Sequence, residues 1–89
     1  MIDLSTARQH HTPAPETHLY RDTAGSLLYR NDDDYYYFLD TDDNAWIWDE
    51  DENYMPLTPV PVDRQTQSER GVQRIIRKRI EDGKVLGMR

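Results

Sequence analysis

The chain contains no cysteine, which removes disulfides, thiolate metal ligands and cysteine nucleophiles together. A reducing, cytoplasmic setting is the expectation that follows. No stretch approaches the roughly 18 consecutive apolar residues of a membrane-spanning helix, and the opening MIDLSTARQHH lacks the apolar core of a signal peptide, so no membrane association is expected. Histidine stops at His18, and no glycine-rich phosphate loop occurs. The common starting points for acid–base, nucleophilic and phosphoryl-transfer chemistry are therefore missing, and neither an enzyme nor a cofactor is implied. Cations are missing as well from Asp32 to Glu52, a stretch that holds ten carboxylates and no Lys or Arg.

That stretch, DDDYYYFLDTDDNAWIWDEDE, is also the most aromatic part of the chain. Its rings would each bury about 150–250 Å², and its charges repel one another whenever folding brings them together. Eighty-nine residues make one domain, and a chain of this size buries only about 60–65% of its unfolded surface. The net charge of −6 is unevenly spread. Residues 1–63 hold 14 acidic and 3 basic side chains, net −11, whereas residues 64–89 hold 8 basic and 3 acidic, net +5. Such a split is a statement about partners, inside the chain or outside it.

Residues 1–18 read as a flexible leader, in which Thr12-Pro13-Ala14-Pro15 favours extended backbone and Ile2 and Leu4 offer at most a short edge strand. His10, His11 and His18 have no carboxylate or Cys at ligand spacing, so they read as solvated and not as a metal site. The single domain is expected over 19–89, with a meander at about 26–57. Ser26–Arg30, Tyr35–Leu39 and Ala45–Trp48 are β-favouring runs, separated by Asn31–Asp34 and Thr41–Asn44, whose Asn and Asp suit turns. Tyr54-Met55 would start a short fourth strand before Pro56. A weak nine-residue repeat, Leu39–Ala45 against Trp48–Tyr54, fits one strand plus one turn per step. The proline-rich connector 56–62 excludes helix.

A helix is predicted over about 67–82, with Thr66 and Glu69 as a capping box, an apolar stripe of Val72, Ile75, Ile76 and Ile80, and Gly83 just past its end. The fold class is thus α+β: a small antiparallel meander of three to four strands with one C-terminal amphipathic helix packed on one face. Side chains alternate along strands, so Tyr35, Tyr37 and Leu39 oppose Tyr36 and Phe38, Ala45 and Ile47 oppose Trp46 and Trp48, and Leu27 and Tyr29 oppose Leu28. Both faces are apolar, and one helix covers only one of them. The second face needs the leader, the connector or another molecule.

Three motifs bear on chemistry. Asp40, Asp42, Asn44 and Asp51 resemble the ligand positions of an EF-hand calcium loop, with Ile47 at the apolar place. Ala45 stands where that loop needs glycine, and the flanks read as strand, so a hairpin turn is favoured and calcium is the alternative. The basic helix, with Arg70, Arg74, Arg77, Lys78 and Arg79, faintly resembles the recognition element of small helix-turn-helix excisionases. The proline connector, however, occupies the place of the supporting helix. Asp63 with Asp82-Gly83-Lys84 is similar to the Asp…Asp-x-Lys layout of some metal-dependent nucleases, although Gly83 is explained as a helix cap.

The reading that follows is a small acidic, non-enzymatic binding protein of the inhibitor or adaptor type; phage-encoded proteins of this kind fit the description. Its expected partner is a basic protein surface, including that of a nucleic-acid-binding protein, because Asp-rich turns can hold carboxylates at spacings comparable with the phosphates of duplex DNA, about one charge per 1.7 Å. The expected contact residues are Asp32, Asp33, Asp34, Tyr36, Phe38, Asp42, Asp43, Trp46, Trp48, Glu50, Asp51 and Glu52. No direct nucleic-acid binding is expected, and a homodimer is allowed. DNA binding through the basic helix is the other alternative.

Overall fold

Short β-favouring runs cut by Asp-rich reversals give strands of two to four residues. In the computed structural model, which describes residues 17–89, β1 (Leu19–Arg21), β2 (Leu27–Arg30), β3 (Tyr36–Leu39) and β4 (Ala45–Ile47) form an antiparallel meander. The class is α+β, but the sheet has six strands and not three to four. β5 (Thr58–Pro59) adds antiparallel to β1, and β6 (Val85–Met88) adds parallel to β4, giving the order β5-β1-β2-β3-β4-β6. The helix α1 (Gln67–Glu81) lies between these last two strands in the chain. Among the described residues no helix is long and apolar enough to cross a membrane.

The Asp-rich reversals share one device. Asp22 Oδ1 accepts from the N–H groups of Ala24 and Ser26 (3.0 and 2.8 Å), Asp33 Oδ1 from Tyr35 (2.9 Å), and Asp40 Oδ1 from Asp42 and Asn44 (2.9 Å each). An aspartate that bonds its own backbone two residues on builds a turn without help from the rest of the fold. Asp34 and Asp43 hold positive φ (68° and 61°), a conformation that Asp tolerates better than bulkier residues.

Two expectations are corrected here. Tyr54-Met55 is not a strand: Asp51 Oδ1 caps a 3-10 turn at Glu52–Tyr54 by accepting from Asn53 N–H (2.9 Å), so the second half of the nine-residue repeat becomes a turn without a following strand. The strand forms later, inside the proline connector, where Pro59 is tolerated because β5 is an edge. Thr17 and His18, expected in the leader, precede β1 directly and are tied to the domain by hydrogen bonds. Thr17 Oγ1 donates to the Val60 carbonyl (2.6 Å) and the His18 carbonyl accepts from Arg30 N–H (2.7 Å). The readings of Ile2, Leu4, His10, His11 and the other residues of 1–16 lie outside the described residues.

The helix begins and ends as its sequence dictates. Thr66 Oγ1 accepts from Glu69 N–H (3.1 Å) and Glu69 Oε1 accepts from Thr66 N–H (2.8 Å), completing the capping box. Glu69 Oε2 also accepts from Arg21 Nη2 (2.8 Å), which ties the first turn to β1. The Thr66 N–H first, and then Arg21, hold the Glu69 carboxyl below its ordinary value. At the other end Gly83 takes φ +68°, and the Lys84 and Gly83 N–H groups bond the Arg79 and Ile80 carbonyls (2.8 and 3.1 Å). This double bond pattern is a Schellman cap, which favours glycine at that place.

The core lies between α1 and the face of the sheet carrying Leu19, Leu27, Tyr29, Tyr37, Leu39, Ile47 and Val85. Ile76, with no exposed surface, stands at its centre, flanked by Val72, Ile80 and Val60; Ile75 is half-buried at the side of this cluster. Tyr37 reaches out of the core to donate to Asp33 Oδ2 (2.6 Å). Burial, and then that carboxylate, push its hydroxyl up to about 12.

Ile76→Ala should therefore destabilise the domain by about 2–5 kcal/mol, and Thr66→Ala by about 1 kcal/mol through the lost cap. Both are readable by denaturant titration of purified variants. An Ile76→Ala protein as stable as the parent would mean that the helix does not dock on this face.

Candidate functional site

Alternation along β1 to β4 puts Tyr20, Leu28, Tyr36, Phe38 and Trp46 on the face away from α1. Trp48 joins them, because its N–H continues the pairing of β4 by donating to the Tyr36 carbonyl (2.7 Å). Tyr36 stands between Tyr20 and Trp48, with ring centroids 5.6 and 5.9 Å away and interplanar angles of 79° and 76°. Such edge-to-face rows are the preferred geometry of aromatic quadrupoles. Leu28 is fully buried and Trp48 nearly so, so this second face is covered by something within the chain.

The cover is the segment that follows β4. Asp49 N–H donates to the Arg89 carbonyl (3.2 Å) beyond β6; at the far side, Thr23 N–H and Oγ1 donate to the Tyr54 and Asn53 carbonyls (3.1 and 3.3 Å) in the β1–β2 reversal. Residues 49–54 thus form a strap across the second face. Between strap and sheet lies an open cleft of about 740 Å³. Leu28, Phe38 and Trp48 line its floor, and Asp22, Asp49, Glu50, Asp51, Glu52, Tyr54 and Arg89 contribute to its walls.

The strap carries four consecutive carboxylates, Asp49 to Glu52. Asp51 is engaged as the cap of the 3-10 turn. Asp49, Glu50 and Glu52 are exposed, and among the described residues they form no ion pair. At one end of the cleft the chain shows how its acidic and aromatic groups meet a cation. The Arg89 guanidinium sits 4.6 Å from the centroid of Trp46, and its Nη1 lies 3.6 Å from Asp40 Oδ2, which also accepts from Trp46 Nε1 (2.9 Å). The Trp46 indole N–H first, and then the backbone N–H groups of the turn, drive the Asp40 carboxyl from 3.8 down to about 2. Gly87, at φ +152°, runs beside the Trp46 ring, where an added Cβ would stand 3.7 Å from it.

Of the residues expected from sequence, Phe38, Trp48, Glu50, Asp51 and Glu52 meet in this cleft, with Tyr36 packed beside Trp48 and Trp46 next along under Arg89. Asp32, Asp33 and Asp34 do not join them. They form the β2–β3 reversal, where Asp33 serves Tyr35 and Tyr37 and Asp34 pairs with Arg30. Asp42 and Asp43 lie at the tip of the β3–β4 reversal, exposed. Asp22, Leu28, Asp49 and Arg89 were not singled out. Leu28 was legible from alternation and Asp49 from the acidic run, but nothing local connects Arg89 to the site.

The calcium-loop positions are used otherwise. Both Asp40 oxygens are occupied by N–H donors, Asp51 caps a separate turn, and among the described residues no three His, Asp or Glu side chains converge as a metal site. Asp63 and Asp82 flank opposite ends of α1, roughly 22 Å of helix apart at 1.5 Å per residue, so the nuclease-like layout is not assembled. No protein-family model matches the chain, and neither a curated protein nor a solved structure shows significant similarity to it.

Asp40 gives a pH-dependent test. Its folded value lies below the unfolded 3.8, so its contribution to stability is complete above about pH 4 and is lost as pH falls towards about 2. Acid unfolding of the parent should therefore steepen within that window, and Asp40→Asn should flatten it. The Trp46 indole proton, followed by NMR, should shift with the same low midpoint.

Proposed function

We propose that this protein is a non-enzymatic binding module that engages a basic protein surface through the strap and the second sheet face. The observation that carries the reading is the row of carboxylates Asp49, Glu50 and Glu52, without ion-pair partners among the described residues, beside an aromatic-floored cleft. Exposed carboxylates beside an aromatic floor suit a cationic partner, because the charges steer the encounter and the rings add an apolar contact surface. The basic residues Arg70, Arg74, Arg77 and Lys78 are exposed on α1, which packs on the opposite face of the sheet. These helix cations thus lie across the sheet from the strap, and among the described residues none of them pairs with Asp49, Glu50 or Glu52. Acidic turns at both ends of the meander extend the negative surface, and a nucleic-acid-binding protein is one partner with the right complementary charge.

The absence of catalysis is part of the proposal. The lowered Asp33, Asp40 and Glu69 carboxyls are all hydrogen-bonded turn or cap residues, and acid–base chemistry instead needs a pair whose environments separate their pKa values. A second reading, DNA binding by α1, is favoured by Arg74 and Arg77, which are exposed and form no ion pair among the described residues.

Charge reversal orders the two readings. Replacing Asp49, Glu50 and Glu52 by Lys should abolish capture of a basic protein from cell extract, and that capture should weaken with added salt in the parent. Replacing Arg74 and Arg77 by Glu should leave it intact. In a gel shift with random duplex DNA at low salt, the parent should give no band. A band that disappears in the arginine variant would make the helix the functional surface.

A further inference from the structure

Resting on that reading, we infer that the cleft beneath the strap receives an arginine side chain of the partner, its guanidinium lying against the half-exposed Phe38, beside the buried Trp48, and its N–H fork turned to Asp49, Glu50 and Glu52. The cleft has the two components that distinguish guanidinium recognition from general attraction of cations. One is an aromatic floor, over which a weakly hydrated planar cation stacks; the other is a set of carboxylates able to accept its directed donors. A lysine ammonium is attracted by the same charges, but it is strongly hydrated and has no flat face to lay on a ring.

The same chemistry is already in use at the end of this cleft. Arg89, which contributes to the cleft wall, lies over Trp46 at 4.6 Å with Asp40 on its donor side. There ring, carboxylate and guanidinium are complete, and the indole N–H orients the carboxylate by donating to it. Further along, Phe38 supplies the half-exposed ring, with Trp48 buried beside it, and the strap supplies carboxylates, while no ion pair among the described residues supplies the cation. The arrangement at Trp46 is repeated without its third member. A volume of about 740 Å³, open along one side, admits one extended side chain and its flanking backbone, and not a folded domain. The strap also stays out of the way of such a guest, since its ends are bonded to Arg89 and Thr23.

The chain has two tryptophans: Trp48 lines the cleft, and Trp46 lies under Arg89 at its end. We would titrate isotope-labelled full-length protein with acetyl-Gly-Arg-Gly-Arg-Gly-amide and with its lysine counterpart at low salt, following the two indole N–H signals and the affinities. The expected result is a shift of the Trp48 signal with Trp46 unmoved, because Arg89 holds that position. The arginine peptide should bind roughly 3–10-fold more tightly than the lysine peptide, the ratio expected of one added cation–π contact. Phe38→Leu, a half-exposed position that keeps an apolar side chain, should erase that preference while its melting curve shows that the variant still folds. Glu50→Gln with Glu52→Gln should weaken both peptides alike. Equal, salt-sensitive binding of the two peptides would overturn the arginine site while leaving the acidic-face reading standing. Binding of neither would overturn both, and shifts confined to the β2–β3 reversal would move the cation site away from the cleft and overturn the inference.

Discussion

The chain must cross its own sheet twice, and each crossing uses a different face. From β4 it travels to β5, four strand spacings away, about 19 Å at 4.8 Å each. From β5 it returns past the whole sheet to β6, five spacings or about 24 Å. The return is made by α1, whose 15 residues span roughly 22 Å. The outward crossing is made by the strap and the proline-rich segment after it. Because the helix occupies one apolar face, the strap is left with the other. The parallel pairing of β4 with β6 is the signature of this round trip, since two strands separated by a crossover run in the same direction.

That constraint explains why an acidic segment lies over aromatic rings. A strap rich in apolar residues would have closed the second face into an ordinary core. A strap of Asp49, Glu50, Asp51 and Glu52 cannot sink into it, since an unpaired carboxylate resists leaving water. It is held by its backbone, through Arg89 at one end and Thr23 at the other, and a cleft remains beneath. The arrangement buries Trp48 and Leu28 while leaving Phe38 half-exposed beside carboxylates that form no ion pair among the described residues.

Acidity in this chain serves two purposes that composition alone merges. Asp22, Asp33, Asp40 and Asp51 are turn-builders whose oxygens are taken by nearby N–H groups, and their negative charge accompanies a conformational role. Among the described residues, the Asp49, Glu50 and Glu52 side chains form no ion pair and cap no turn. The distinction falls on hydrogen bonds: a carboxylate already accepting two or three of them has little left to offer a partner, whereas an unpaired one beside a ring has most of its capacity free.

Where a rule acts within a few residues, the sequence alone was enough. Alternation separated Leu28 from Leu27, Phe38 from Tyr37 and the two tryptophans from Ile47 within each strand, and the pairing register then put Leu28, Phe38, Trp46 and Trp48 on one face. The capping box at Thr66 and Glu69 and the glycine at 83 marked both ends of α1. Three of the strands followed from β-favouring runs between Asp-rich turns. Pairing at a distance was not legible. β1, β5 and β6 are not framed by Asp-rich turns as the other strands are, and β6 exists because β4 offers it an edge some forty residues earlier in the chain. Tyr54 looked like a strand residue locally, but the Asp51 cap turned the backbone first. Whether a given aspartate builds a turn or faces a cleft, and whether Arg89 is a tail or the cation over Trp46, depend on which segments the two crossings bring together, and that is a property of the folded chain.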